Sequence, residues 1–220
     1  MAVNIQAIKE LRERTQAGMG DCKKALQEAD GDMDKAVEII LKKGKAKSAK
    51  RAGKVAAEGD VRADVYADGR EAVVVEVNIE TDFSARNEKF TTFVDKVVAA
   101  AKAAPADGEL AKLESGGSTL EDLATDLTAV IGEKITLRRY AKLAIGEGKH
   151  GQCSAYVHMG GRIGVILSLE AETAEAAKSD AASTFAEETC MQIAAMNPLV
   201  LKREQLDPEL VDKQKEIFEA

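Results

Sequence analysis

Ile79-Glu80-Thr81-Asp82-Phe83-Ser84-Ala85-Arg86-Asn87 is the stretch on which the reading of this chain turns. An apolar strand pattern from Ala72 to Val77 stops just before it. A helical pattern of Phe90, Phe93, Val94, Val97, Val98 and Ala101 starts just after it. A strand-to-helix junction is a surface corner, and corners held by a rigid scaffold often carry function. Phe83 is out of place on structural grounds alone. The chain has five Phe, three Tyr and no Trp, yet one of these few aromatics stands at the corner beside an acid.

Working outward, residues 61–66 and 72–79 read as strands around Ala67-Asp68-Gly69-Arg70, a hairpin signal centred on Asp-Gly. Residues 104–118 read as a loose connection, Leu120, Leu123, Leu127, Val130 and Ile131 as a helix, and 135–143 as a half-buried alternating strand. The pattern then returns: 155–162 runs into 165–169 and a long helix over about 174–196. Setting Gly69-Arg70 on Gly161-Arg162 gives an offset of 161 − 69 = 92. The same offset pairs Val65 with Val157, Val73 with Val165, Glu80-Thr81 with Glu172-Thr173, and Phe93 with Phe185. One strand-hairpin-helix unit is used twice, which predicts an α+β fold of antiparallel sheets with packed helices.

The second copy lacks Asp82-Phe83 and has Ala174-Glu175 instead. A position that takes Glu in one copy faces solvent, because burying an unpaired carboxylate is costly. Phe83 is therefore expected to be exposed, as an anchor for a partner's pocket, rather than a core residue one helical run before Phe90.

Upstream, residues 4–44 read as three short helices. Ile5, Ile8 and Leu11 share one face; Gly18-Met19-Gly20 breaks the pattern; Asp21 caps a helix with Cys22, Ala25, Leu26 and Ala29. After the turn at Asp30-Gly31-Asp32, Met33, Ala36, Val37, Ile40 and Leu41 form a third face, which Gly44 is expected to stop. Met19, in a glycine-flanked loop, reads equally as a core plug or a partner contact. Residues 42–54 then carry seven basic residues and no acid. A solvated Ala/Lys helical connector is the reading taken, against phosphate or nucleic-acid contact. The divisions expected are 1–44, a basic linker at 45–58, a first core subdomain at 59–104, a connecting region at 105–134, a second subdomain at 135–200, and a C-terminal helix at 201–220.

Composition bounds the function. The 220 residues carry a net charge of −7 with 45% hydrophobic and 31% charged residues, which fits a folded soluble protein and disfavours a general nucleic-acid binder. No run of about 18 apolar residues suggests a membrane span, and the N-terminus lacks the build of a signal peptide. Cys22, Cys153 and Cys190 are scattered, as small hydrophobes in a reducing compartment. A cytoplasmic protein is expected. Gly146-Glu147-Gly148-Lys149-His150-Gly151 fits G-x-G-x-x-G but continues into a strand rather than opening a helix, so it reads as a loop. His150 and His158 lack metal-ligand spacing, and Ser154 and Cys153 lack the surroundings of a nucleophile. No catalytic residue, cofactor or metal is predicted.

Several motifs in order resemble the bacterial elongation factor Ts family. Leu11-Arg12-Glu13-Arg14-Thr15 through Ala17-Gly18-Met19, with Asp21-Cys22-Lys23-Lys24-Ala25-Leu26, is similar to its N-terminal signature. Glu76-Val77-Asn78 through Glu80-Thr81-Asp82-Phe83 is similar to its second. Ile131-Gly132-Glu133-Lys134-Ile135 with Arg138-Arg139, and Gly161-Arg162-Ile163-Gly164-Val165, fit its core. The resemblance implies a UBA-like three-helix module, a linker and two related α+β subdomains. It implies a guanine-nucleotide exchange factor for elongation factor Tu, in its GDP-bound and nucleotide-free forms, with no cofactor and no active site of its own. By resemblance Arg12 and Met19 touch the partner's nucleotide-binding domain, Thr81, Asp82, Phe83 and Ser84 disturb its bound magnesium, and the second subdomain holds another of its domains. The chain departs from the family at Gly20, commonly Met, and at Ser84, commonly Val. Family members also usually continue past a helix like 208–218 into a helical hairpin and a returning strand. The expectation is either a longer natural chain or a second sheet with an open edge.

Overall fold

Local sequence signals account for the N-terminal helices in the computed structural model, which describes residues 4–15, 17–106 and 108–219. Met1 to Val3, Gln16, Asp107 and Ala220 lie outside the described residues, so the reading of the N-terminus against a signal peptide rests partly outside them. Helix α1 (Ile5–Thr15) buries Ile8 and Leu11, and α2 (Met19–Glu28) buries Cys22, Ala25 and Leu26. Asp32 caps α3 (Met33–Arg51) by accepting from the backbone of Asp34 and Lys35, each at 3.1 Å. Their apolar faces close on one small core. Two details differ from the expectation. Helix α2 begins at Met19 behind Gly18, and Asp21 does not cap it; its carboxylate meets Lys47 at 2.7 Å. Nor does Gly44 end the third helix, which runs on to Arg51. Gly44 is buried, and a Cβ there would lie 2.8 Å from that of Ala129. Glycine serves close approach here, not termination.

Strands β1 (Glu58–Tyr66) and β2 (Glu71–Ile79) form the expected hairpin, with Ala67, Asp68 and Gly69 at positive φ. A short helix α4 (Asp82–Ala85) and the long α5 (Glu88–Ala103) follow. Residues 104–118 hold a 3-10 turn and the first strand of a minimal hairpin, β3 (Glu114–Ser115) with β4 (Ser118–Thr119), before α6 (Leu120–Ile131). Strand β5 (Ile135–Ala144) pairs with β2, giving a first sheet of order β1-β2-β5. It does not open the second subdomain as expected. The pairing slips between Glu76 and Val77, leaving Arg138 unopposed, so Arg138 and Arg139 both reach Glu76, at 3.2 and 2.7 Å.

Strands β6 (His150–His158) and β7 (Ile163–Ala171) make the second hairpin, followed by α7 (Ala174–Ala177) and α8 (Asp180–Met196). The helix expected over 174–196 is therefore broken at Lys178-Ser179. Adding 92 to the bounds of β1, β2 and α4 reproduces those of β6, β7 and α7 at both ends, and α5 maps onto the start of α8. Caps repeat too: Thr81 and Thr173 cap the short helices, Asn87 and Ser179 the long ones. The inferred duplication is real.

The two hairpins stack. Val73, Val75, Val77 and Ile79 face α5 and α6 in the main core with Phe90, Phe93, Val94 and Val97. On the other face of β2, Ala72 packs with Cys153, and Val74 approaches Gly164. Burial on both faces explains why β2 is nearly continuously apolar rather than alternating. Helix α8 covers the far side of the second hairpin, with Ser183 bonded to Gln152 and Cys190 buried. Phe93 is 5% exposed and belongs to the core as expected, whereas its counterpart Phe185 is 58% exposed. Leu120 and Leu123 of α6 join the core around Phe93, and no α6 equivalent follows α8 among the described residues. On β7, likewise, the edge corresponding to the β5 side of β2 is unpaired among the described residues. The last helix, α9 (Pro208–Glu219), has no buried residue.

Candidate functional site at the corner after the second strand

Thr81 sets the corner. Extended at φ −125°, it accepts the Ser84 N–H on its hydroxyl at 3.3 Å and so caps α4. Its own N–H and hydroxyl both donate to Glu133, at 3.0 and 2.9 Å. Glu80 points to the other side. Its carboxylate receives Arg51 Nη1 on both oxygens, at 2.9 and 2.7 Å, and the Lys134 backbone N–H at 2.6 Å. The Lys134 N–H, and after it Arg51, hold the Glu80 carboxyl below the usual carboxylate range, against the opposing effect of desolvation.

On this clamped base Phe83 is 83% exposed. Ser84 is half-buried, and Ala85 packs against the main core. Asp82 is half-buried, paired loosely with Arg86 at 3.7 Å. Both line a polar groove whose opposite wall is the β6–β7 turn at Met159, Gly160 and Arg162. Met159 is 67% exposed. A fully exposed Phe forfeits roughly 1.5–3 kcal/mol that burial would return, so Phe83 contributes little to the folding of this chain.

Arg12 is exposed on α1 and Met19 is 43% exposed at the first turn of α2. Met19 is thus on the surface and does not plug the core. These two lie on the helical module and Thr81 to Ser84 on the first sheet unit, joined through α3 and the Arg51–Glu80 pair.

The basic run is largely spent within the fold. Lys43 pairs with Glu28, Lys47 with Asp21, Lys42 with Glu38 and Arg51 with Glu80. The first three are exposed pairs, each worth less than about 1 kcal/mol, and together the four engage more than half of the seven basic residues of the run.

The chemistry elsewhere is quiet. The three cysteines are free and buried, and burial pushes each thiol up, away from the reactive thiolate. Among the described residues no group of three or more His, Cys, Asp or Glu could hold a metal, and no helix is long and apolar enough to cross a membrane. Gly146 to Lys149 is the β5–β6 loop, not a helix start. Tyr156 Oη and His158 Nδ1 share a hydrogen bond of 2.8 Å.

Sequence reasoning located Phe83 and its exposure but missed Arg51, Glu133 and Lys134 as its supports. Glu133 and Lys134 belong to the Ile131-Gly132-Glu133-Lys134-Ile135 segment, but nothing local links them to residues about fifty positions away.

Fold and site together define an α+β protein with a duplicated strand-hairpin-helix unit, a helical module ahead of it, and an exposed aromatic on a rigid turn of the first copy. The family model described as Elongation factor TS matches residues 80–220. Elongation factor Ts of Clostridium perfringens is 44% identical over 221 residues, covering 99% of this chain and 71% of that protein. That of a Nitratiruptor species is 45% identical over 222 residues, covering 100% and 72%. That of Clostridium botulinum (strain Eklund 17B) is 43% identical over 219 residues, covering 98% and 70%. The chain belongs to the elongation factor Ts family, whose members are translation elongation factors acting in nucleotide exchange.

Proposed function

We propose that the chain binds elongation factor Tu carrying GDP and promotes GDP release by disturbing the partner's Mg²⁺ site, with no active site of its own. The observation that supports this best is Phe83, 83% exposed on a turn clamped from both sides. GDP is held partly by Mg²⁺, which bridges phosphate and protein oxygens. An aromatic wedge that shifts those ligands weakens GDP without breaking a bond, and each lost ~1.4 kcal/mol is tenfold in affinity. Linkage requires the reverse as well: bound nucleotide must weaken the factor's hold on its partner by the same factor.

In this reading Thr81, Asp82, Phe83 and Ser84 act at the magnesium site, and Arg12 and Met19 touch the nucleotide-binding domain. The units at work are the helical module over 1–44 and the two copies of the core, with 45–58 as connector. The protein works in the cytoplasm and needs neither membrane nor specific nucleic acid. The test is release of fluorescent GDP from elongation factor Tu. Phe83→Ala should slow it about tenfold or more while circular dichroism and melting stay unchanged; an unaltered release rate would remove Phe83 from the mechanism.

A further inference from the structure

Glu-Thr occurs at the same place in both copies, but only one of the two is clamped. Thr173 caps α7 from Ala176 N at 3.2 Å, much as Thr81 caps α4 from Ser84 N at 3.3 Å. Yet Glu172 and Thr173 are exposed, and among the described residues Glu172 has no side-chain partner. The turn therefore forms without any clamp. Around Glu80-Thr81, by contrast, two half-buried carboxylates are engaged. Glu133 takes both donors of Thr81. Glu80 takes Arg51 and the Lys134 N–H, and the Lys134 ammonium reaches back to the carbonyls of Ala52 at 2.6 Å and Lys54 at 3.0 Å. The end of α3, the α6–β5 turn and the corner are thus one network. The copies differ in the two residues after Glu-Thr: Asp82-Phe83 in the clamped one, Ala174-Glu175 in the free one.

We propose that Glu133, Glu80 and Arg51 are positioning residues for Asp82 and Phe83. Glu133 fixes the residue that starts the turn. The Arg51–Glu80 pair ties the turn to α3, so that the helical module and the exposed ring meet the partner as one rigid face. This rests on the reading of Phe83 as the anchor. A four-residue helix has no stability of its own, and an exposed ring on a loose turn would have to be ordered at the exchange step, after the complex has formed. Fixing it beforehand removes that cost. Arg51 Nη1 alone bridges both Glu80 oxygens, and the planar guanidinium holds that nitrogen in a fixed direction where the flexible ammonium of lysine would not.

The experiment compares the full chain with Glu133→Ala, Glu133→Gln, Arg51→Ala, Arg51→Lys and Phe83→Ala in stopped-flow GDP release from elongation factor Tu, over a range of factor concentrations. Glu133→Ala and Arg51→Ala are expected to lower the maximal rate about tenfold while the half-saturating concentration stays put. Arg51→Lys, which keeps the charge, recovers only part of the rate. In the Phe83→Ala background neither change lowers the rate further. Hydrogen exchange at the Thr81 amide speeds up in Glu133→Ala, without the partner present. Melting curves monitor the fold; Glu133→Gln and Arg51→Lys, of nearly native volume, carry the comparison if an alanine variant unfolds. Wild-type maximal rates in these variants, or a loss confined to half-saturation, beside a slow Phe83→Ala would overturn the proposal. If Phe83→Ala is itself as fast as wild type, the anchor reading fails and the positioning role falls with it.

Discussion

The backbone N–H of Val61 donates to the carbonyl of Gly161 at 2.7 Å, and 92 residues further on Cys153 donates to Gly69, also at 2.7 Å. The two bonds are the same bond made twice, because Val61 corresponds to Cys153 and Gly69 to Gly161. Each hairpin thus offers its turn glycine to a strand of the other, across a local pseudo-twofold axis. The copies are related by more than sequence: they face each other. This arrangement buries the second face of β2 and sets the β6–β7 turn opposite Asp82 and Arg86.

The symmetry is tight enough to test with one methyl group. Ala72 is fully buried against Cys153, while its counterpart Gly164 would place a Cβ 2.5 Å from Val61 Cγ1 and 3.0 Å from Val74 Cγ2. Gly164→Ala should cost about 1–3 kcal/mol through overpacking between the sheets. Urea unfolding measures it. A neutral result would mean that the two hairpins are free to slide apart.

Phe93 and Phe185 make a second matched pair. Phe93→Ala removes a ring from the main core and should cost about 3–5 kcal/mol. Phe185→Ala, at an equivalent position but 58% exposed, should cost less than about 1 kcal/mol. Equal losses in chemical denaturation would contradict the environments described.

These pairs show what could be read in advance. The duplication was legible because the apolar strand residues and hairpin glycines recur at one spacing, and Phe83 stood out because the second copy does without it. The fate of Phe185 was not legible, since like residues in like units acquire different neighbours: α6 joins the core at Phe93 and, among the described residues, nothing equivalent stands over Phe185. Strand β5 misled for the same reason, its alternation fitting either sheet while its partner β2 lies more than fifty residues earlier. Gly44 looked like a helix stop because glycine often is one; only the approach of Ala129 reveals its other use.

Gly44 supplies a prediction of its own. In an isolated helix Gly→Ala is favourable, and at Gly20, where no atom lies within 4 Å of the new Cβ, it should stabilise by about 0.4–1 kcal/mol. At Gly44 the Cβ meets that of Ala129 at 2.8 Å, so Gly44→Ala should lower the melting temperature while Gly20→Ala raises it. The same sign at both sites would show that α3 does not bear on α6.

Acid should loosen the corner before it unfolds the core. The Glu80 carboxyl is held below its ordinary value by the Lys134 N–H and Arg51, so folding favours its ionised form. A depressed carboxylate contributes stability that is fully present above its unfolded value, about 4.3, and is lost as pH falls through the folded value. Between the two the unfolded chain binds more protons, so stability rises with pH. Glu80→Gln keeps the side chain's size but has no proton to bind. The difference in unfolding free energy between wild type and Glu80→Gln should therefore be flat above roughly pH 5.5 and shrink as pH drops below about 4.3. Urea midpoints across a pH series, taken on both proteins, cancel the other carboxylates, Asp21 with its Lys47 included. A difference that stays constant into strong acid would mean that Glu80 is not ionised against Arg51 in the folded protein, and the bond from α3 to the Phe83 turn would have to be drawn differently.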